Sequence, residues 1–372
     1  MKIGILTLPL HINYGGILQA YAMQTVLERM GHDVSIIEIS KIVPSWIMCL
    51  RVSKRILIKY LLGKRDTKIF VEKEKIKEFN IVSQYTSKFI AHYIHRRTYR
   101  SYNCIRESDY NAIIVGSDQV WRPEYFGSFI NHAFLDFAQK WKGIKRISYA
   151  ASFGTDEWLY SKQQELENGQ LIKLFDAISV REVSAVEICK KYWNVDAVNV
   201  LDPTLLLSRE DYEKIVTVAK TPPSPGNLLC YVLDEDERKN RIINDIASKK
   251  NLNPFRTNTR CEISSVPLSN RIQPPLEQWL RGFMDAEFVV TDSFHATVFS
   301  IIFKKEFIVI SNKNRGITRL TSFLGQLGLE SRLIKDDSEI SDLDSIIEWD
   351  RIYKKLQSLR IESINFLKSN LA

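Results

Sequence analysis

The fold is decided by the stretch Val289-Val290-Thr291-Asp292-Ser293-Phe294-His295-Ala296-Thr297-Val298-Phe299-Ser300. Residues 287–291 are mostly apolar and contain neither Pro nor Gly, which predicts a short buried strand. Asp292 and Ser293 carry short oxygen-bearing side chains of the kind that cap helices, and residues 294–303 continue as an apolar helix. This order predicts an α/β sheet with His295 in the first helical turn, at the strand end where such sheets bind ligands. Free N–H groups and the helix dipole attract anions there.

The composition bounds the class of protein. The 372 residues suffice for two domains, and 45% hydrophobic with 26% charged residues is ordinary for a soluble globular chain. The net charge of +8 fits an acidic substrate or an anionic membrane surface, and equally a solvated basic face. Five scattered cysteines without a CxxC pair indicate a reducing compartment, so we expect a cytoplasmic protein without a zinc site or disulfide framework. No apolar run approaches the roughly 20 residues of a membrane span.

The first half of the chain has the pattern of a doubly wound sheet. Residues 2–8 form an apolar run, a loop with two adjacent glycines follows, residues 17–30 carry a helical apolar stripe, and 34–39 are again strand-like. Because no GxGxxG is present, this is not a dinucleotide fingerprint. Further strands are predicted at 110–115, 146–151, 177–180 and 198–201, and polar residues follow most of them.

Residues 42–110 break this alternation. They are rich in Lys and Arg, poor in Gly, and have helical period, which predicts a basic helical insertion. Two interpretations stay open for it: a helical subdomain with a solvated basic face, or an amphipathic surface that lies on anionic lipid at the inner face of the cell membrane.

The expected architecture is two Rossmann-like, doubly wound α/β domains that face each other across a cleft. The clearest linker is Thr221-Pro222-Pro223-Ser224-Pro225-Gly226, and the boundary is placed slightly earlier, after the turn at Asp202-Pro203. We therefore predict an N-terminal α/β domain over residues 1–205, a C-terminal α/β domain over 206–340, and a C-terminal helix over 341–372 that packs back on the first domain.

Five motifs occur in one order along the chain: Asn13-Tyr14-Gly15-Gly16-Ile17-Leu18-Gln19-Ala20, Gly116-Ser117-Asp118-Gln119-Val120-Trp121, Ser179-Val180-Arg181-Glu182, Asp202-Pro203-Thr204 and Thr291-Asp292-Ser293-Phe294-His295. Together they resemble the polysaccharide pyruvyl transferase family over most of the chain. The resemblance implies a fold similar to GT-B glycosyltransferases. It also implies phosphoenolpyruvate as donor, and as acceptor a sugar of a bacterial surface glycan such as a capsule or exopolysaccharide, often lipid- or nucleotide-linked.

This chemistry needs a general acid for the methylene carbon of the donor and cations for its carboxylate and phosphate. It needs no metal, and no cofactor beyond phosphoenolpyruvate as co-substrate is expected. His295 is the predicted acid, because histidine titrates near neutral pH; the alternative is a buried histidine with a structural role. Arg181 is predicted to act in catalysis and to bind the donor, with an ion pair to Glu182 as the alternative.

Some relatives have an arginine two residues before the histidine, where this chain has Ser293, so another cation must contact the anion. The predicted donor-binding residues are therefore Arg181, Ser293, Arg315, Lys313 and Arg319. The predicted acceptor-binding residues are Asn13, Tyr14, Gly15, Gly16, Asp118 and Gln119, since two glycines let a ligand approach the backbone and the polar side chains suit sugar hydroxyls.

Two other functions stay open at this level. The first is a GT-B glycosyltransferase that uses a nucleotide-sugar, because a fold does not determine its function. The second is a non-catalytic protein of surface-glycan assembly that keeps the fold. No nucleic-acid partner is expected. The acceptor sugar and the oligomeric state do not follow from the sequence.

Overall fold

The computed structural model describes residues 1–40, 45–63, 68–261, 263, 265–312, 317–335 and 346–372, without the side chains of 45–47 and 128. Its strands form two separate sheets, and every strand pair within them is parallel. Parallel strands buried on both faces by helices are expected to be nearly continuous in apolar residues. The strand Ala112–Val115, with sequence Ala-Ile-Ile-Val, is buried throughout and shows why these short runs form strands.

The first sheet has seven strands in the order β3-β2-β1-β4-β5-β6-β7. They are β1 (Lys2–Leu6), β2 (Asp33–Ile39), β3 (Arg96–Tyr99), β4 (Ala112–Val115), β5 (Lys145–Ala151), β6 (Ala177–Val180) and β7 (Val198–Asn199). The strand order reverses between β1 and β4, which makes that point a topological switch where the loops diverge and leave a crevice.

The second sheet has five strands in the order β12-β11-β10-β8-β9. They are β8 (Leu228–Tyr231), β9 (Pro254–Phe255), β10 (Phe288–Thr291), β11 (Glu306–Ile310) and β12 (Leu333–Ile334). Here the switch lies between β8 and β10. Two doubly wound domains facing each other across a cleft are therefore present, as predicted, and this architecture is GT-B-like.

Thirteen α-helices connect and cover the strands in the described residues. They are α1 (Tyr14–Arg29), α2 (Ser45–Tyr60), α3 (Val71–Val82), α4 (Gln84–Tyr93), α5 (Pro123–Phe126), α6 (Lys162–Ile172), α7 (Val183–Ile188), α8 (Arg209–Val218), α9 (Glu237–Lys250), α10 (Leu276–Asp285), α11 (Phe294–Ile302), α12 (Ile317–Leu327) and α13 (Trp349–Leu371). None of these helices is long and apolar enough to cross a membrane.

The prediction of a helical insertion over residues 42–110 needs correction. The segment contains α2, α3 and α4, but Arg96–Tyr99 is the edge strand β3, paired in parallel with β2. The helices are thus a crossover between two neighbouring strands of one sheet. Pairing with β2 holds the strand: Tyr99 is its one buried residue, and the exposed Arg96 pairs with Glu38 of β2 at 3.0 Å. The residues before β3 have helical period, so this four-residue strand was not predicted from the sequence.

Helix α13 contacts both sheets' domains. Its Tyr353 hydroxyl donates hydrogen bonds to the carbonyl oxygens of Ile301 and Ile302, at the end of α11. Further along, Arg360 Nε donates to Leu205 O at 2.7 Å, and Lys145 Nζ donates to the carbonyl oxygen of Ala372. The predicted residue boundaries of the domains stay predictions.

Candidate functional site

The carboxyl end of β10 forms the rigid base of the site. Ser293 is the N-cap of α11, and its hydroxyl accepts a hydrogen bond from Ala296 N at 3.5 Å. Asp292, which was also a candidate cap, is buried and does not cap the helix. Its carboxylate accepts hydrogen bonds from the backbone N–H groups of Leu233 and Asp234, which follow β8. It also accepts hydrogen bonds from the side chains of Lys239 and Asn312. These bonds join the ends of β8, β10 and β11, so the first turn of α11 has a fixed position.

His295 lies in that first turn and contacts the opposite domain. Its imidazole packs on the start of α1, where a Cβ added to Gly15 would lie 2.0 Å from His295 Nδ1. Its Nε2 lies 3.7 Å from Oδ2 of Asp202, which follows β7. The side chain is 9% exposed, and Nε2 has no hydrogen bond within the described part of the chain. The sequence therefore placed His295 correctly at a strand end, and the fold adds a carboxylate beside it.

Asp202 is a site residue that sequence reasoning assigned only to an Asx-Pro turn. Its Oδ1 does cap the turn, accepting hydrogen bonds from the N–H and hydroxyl of Thr204. Its Oδ2 accepts from Arg181 Nη1 at 2.9 Å and from Ser117 Oγ at 3.3 Å. Burial raises the pKa of Asp202, but the proximity of His295 and Arg181 outweighs burial and holds that pKa well below its ordinary value.

Arg181 is buried and surrounded by carboxylates. Besides Asp202, its guanidinium reaches Glu182 at 3.3 Å and Asp118 at 3.6 Å. Burial lowers the pKa of Arg181, yet Glu182, Asp202 and Asp118 more than offset this, so the pKa is raised overall. The guanidinium also lies over the ring of Phe294, 4.6 Å from its centroid. Arg181 does not line the cleft, so the alternative of an ion pair with Glu182 describes its side chain better than direct donor contact.

Arg319, from α12, lines the cleft. Its Nη1 lies 4.0 Å from Asp118 Oδ1, and its guanidinium stands 5.7 Å from the centroid of Phe294. Burial and the neighbouring Arg181 lower its pKa, but an arginine remains a cation at neutral pH. Lys313 and Arg315, the other predicted donor-binding cations, lie outside the described residues.

A cavity of about 430 Å³ opens between the two domains. The predicted residues on its wall are Asn13, Gly16, Asp118, Gln119, Ser293, His295 and Arg319. The loops that follow β1, β4 and β10 therefore line this cavity. These three strands lie beside the two topological switch points. His11 and Tyr125 also line it and were not singled out from the sequence. We name this space the interdomain cavity.

Tyr14 is not on this wall, although it was predicted to bind the acceptor. Its side chain is fully buried, and its hydroxyl donates a hydrogen bond of 2.6 Å to Pro274 O in the second domain. Tyr14 thus holds α1 against the C-terminal domain. Gly15 lies beneath His295 instead of facing the cavity, and Asn13 is the N-cap of α1, accepting from Gly16 N at 3.3 Å.

The charges of the cluster are unequal. Two buried guanidinium groups, those of Arg181 and Arg319, face three carboxylates, those of Asp118, Glu182 and Asp202. His295 Nε2 stands 3.7 Å from one of these carboxylates, that of Asp202.

Two GT-B-like domains thus place loops from facing strand ends around one cavity. The chain belongs to the polysaccharide pyruvyl transferase family, whose model matches residues 13–314. That match spans all five motifs and includes His295, Arg181 and Asp202.

Solved structures with a similar course include a glycosyltransferase from Rickettsia africae, at 12% identity and TM-score 0.46, covering 100% of this chain and 97% of that chain. A UDP-GlcNAc 2-epimerase from Methanocaldococcus jannaschii has 11% identity and TM-score 0.48, covering 97% of this chain and 93% of that chain. Likeness at this level carries no information on substrate. A search of curated proteins finds no significant match.

Proposed function

We propose that this chain moves the enolpyruvyl-derived group of phosphoenolpyruvate onto a sugar of a bacterial surface polysaccharide, or onto its lipid- or nucleotide-linked precursor, with release of phosphate. The observation that carries the proposal is His295, which stands at the wall of the interdomain cavity beside the buried carboxylate of Asp202. Membership in the pyruvyl transferase family supports the reaction class. The identities of the donor and of the acceptor go beyond family membership and are proposed in addition to it.

The reaction follows from the reactants. His295 gives its proton to the methylene carbon of phosphoenolpyruvate, which becomes a methyl group and leaves C2 electrophilic. One sugar hydroxyl attacks C2 and loses its proton. The bond from C2 to the phosphate oxygen then breaks, phosphate leaves with the electron pair, and a neighbouring hydroxyl attacks C2 to close the cyclic ketal, losing the second proton.

Each wall of the cavity has a part in this scheme. Arg319 and the free N–H groups at the start of α11, near Ser293, suit the anionic donor. Lys313 and Arg315, which lie outside the described residues, are proposed to supply further positive charge. On the opposite wall, Asp118 and Gln119 offer acceptor oxygens for the sugar hydroxyls, and Asn13 and Gly16 line the wall near α1.

Arg181 acts in this scheme as a positioning residue. It fixes Asp202 on one side and approaches Asp118 on the other, so it links the carboxylate beside the acid to the carboxylate of the acceptor wall. Because its guanidinium is enclosed, it sets the geometry and charge of both groups without touching the donor.

Release of inorganic phosphate tests the donor. Purified protein is incubated with phosphoenolpyruvate and depyruvylated surface glycan from the source organism, and phosphate is measured with time. Acceptor-dependent release that His295→Ala abolishes supports the proposal. Consumption of a UDP-sugar instead, with sugar transfer to the same glycan, would assign the chain to the alternative, a glycosyltransferase.

A cytoplasmic enzyme with a lipid-linked acceptor has to work at a membrane, and α2 offers a surface for that. It carries four basic residues and no acidic one. Leu57 and Leu61, one turn apart around its end, are 53% and 74% exposed, and Leu50 and Tyr60 are exposed as well. We propose that this face lies on anionic lipid, because apolar side chains rimmed by cations bind such interfaces.

A further inference from the structure

A second, larger cavity lies in the N-terminal domain and has no assigned role. Its volume is about 880 Å³, twice that of the interdomain cavity. It opens at the carboxyl ends of β1, β2 and β3, which is where α/β sheets bind ligands. We name it the N-domain cavity.

The two cavities adjoin each other. Residues of the loop after β1, Leu8 to His11, line both of them, and so does Tyr125 from α5. A ligand whose reacting end lies at His295 can therefore extend past this loop into the larger space without leaving the protein. The interdomain cavity has room for a donor and one sugar, and the adjoining N-domain cavity is the space into which a further part of the acceptor would extend.

The wall of the N-domain cavity presents aromatic faces to solvent. Phe79, Tyr125 and Phe129 line it and are 41%, 53% and 64% exposed. Phe126 and Tyr102 add further rings. Large apolar side chains gathered around one opening mark a binding surface, and their flat faces suit the C–H faces of sugar rings.

Polar groups with free hydrogen-bonding capacity interrupt the aromatic wall. Arg100, Tyr102 and Asn103, in the loop after β3, all line the cavity, and their side chains have no hydrogen bond or ion pair within the described part of the chain. By contrast, the neighbouring Arg96 and Thr98 are both bonded to Glu38. Burial raises the pKa of Tyr102 to about 12, so its hydroxyl stays a neutral donor. A guanidinium, an amide and a phenol can bind several hydroxyls from different directions.

We propose that the N-domain cavity binds a further sugar of the acceptor, so that the acceptor is an oligosaccharide of at least two sugars. Aromatic faces alone would equally suit a lipid chain. The three uncommitted polar groups favour the sugar, because a lipid would leave them without partners. This inference rests on the proposed function only for the orientation of the acceptor, with its reacting sugar at His295.

The test uses saccharides of one to four sugars, prepared by partial acid hydrolysis of the source organism's surface polysaccharide. Binding to the full-length protein is followed by saturation-transfer NMR, without phosphoenolpyruvate. We expect the affinity to rise at least tenfold from one sugar to two. Arg100→Ala and Phe129→Ala should each weaken binding of the longer saccharide about tenfold, the effect of one charged hydrogen bond or one ring contact, and leave the single sugar unaffected.

Matched controls are Arg106→Ala and Phe70→Ala, which remove the same side chains from exposed positions that line neither cavity. Equal affinity for all saccharide lengths, or no effect of the two cavity variants, would overturn the inference. Binding of dodecyl phosphate but of no saccharide would assign the cavity to a lipid. Saccharide binding that the cavity variants weaken, without any turnover of phosphoenolpyruvate, would support the cavity and count against the proposed reaction alone.

Discussion

The imidazole of His295 rests on the backbone of Gly15, so close that a Cβ at position 15 would lie 2.0 Å from Nδ1 and 2.2 Å from Cγ. The two residues belong to different domains and are 280 positions apart in the sequence. The glycine sits inside α1, so backbone conformation does not require it there; the close approach of the imidazole does. This contact joins the first α/β unit of the N-terminal domain to the proposed proton donor.

Gly15→Ala should therefore displace His295. We expect turnover with phosphoenolpyruvate to fall about a hundredfold, on the scale of losing a positioned acid, while donor affinity changes much less. Gly325→Ala is the matched change: it lies inside α12, lines neither cavity, and a Cβ there meets nothing closer than 3.5 Å. Steady-state kinetics of both variants would settle the point. Equal turnover in the two would show that the packing of His295 on α1 does not matter for catalysis.

Arg181 and Arg319 should have different effects on stability and binding. Arg181→Ala removes the nearest cation from three buried carboxylates, and we expect it to lower the free energy of unfolding by about 3–5 kcal/mol. Arg319→Ala, which removes a cation from the cavity wall, should mainly weaken binding of phosphoenolpyruvate, about tenfold. Urea unfolding and calorimetric titration measure the two quantities. If Arg181→Ala is as stable as the wild type but fails to bind the donor, Arg181 contacts the donor directly.

Asp202 should give the protein an acid-sensitive contribution to stability. Its pKa is lowered in the folded protein, so the contribution is present above the ordinary carboxyl pKa and is lost as the pH falls toward the folded value. Asp202→Asn should destabilise the protein at pH 7 by on the order of 2 kcal/mol. That difference should narrow below about pH 4. Urea unfolding of the wild type and Asp202→Asn from pH 7 to below about pH 4 measures this difference in the free energy of unfolding. A difference that does not change with pH would contradict a lowered pKa for Asp202.

The exposed face of α2 should bind anionic vesicles in a salt-sensitive way. The double change Leu57→Asp and Leu61→Asp removes its apolar contact and adds repulsion, and should abolish flotation with anionic vesicles at low salt. Leu166→Asp is the control, because Leu166 is also largely exposed but lies on α6. Equal recovery of the wild type with neutral and anionic vesicles would leave α2 as a solvated helix.

The architecture was largely predictable because its strands, helices and loops each have a local sequence pattern. Short apolar runs ended by polar caps predicted the strands around His295 and the loop at Gly15. The strand β3 was missed because its four residues follow a long helical segment, and only pairing with β2 makes the strand visible. Local periodicity carries no information on such pairing.

The candidate site was predictable only in part. His295, Asp118 and Arg319 were identified as strand-end or loop residues, and all three line the interdomain cavity. The roles of Asp202 and Tyr14 were not, because each depends on a contact with a distant part of the chain: Asp202 with Arg181 and His295, and Tyr14 with Pro274. A motif shows which side chains are available, whereas long-range packing decides which of them face the cavity.

The central claim is that His295 protonates phosphoenolpyruvate during transfer to the acceptor sugar. Mass spectrometry and NMR of the glycan after reaction in deuterium oxide test it most directly. We expect the glycan to gain one pyruvate less one water, with one solvent deuterium in the new methyl group, and folded His295→Ala to form this product at least about a hundredfold more slowly. A glycan that gains no such group with any saccharide offered, or folded His295→Ala that forms it at the wild-type rate, would contradict the account.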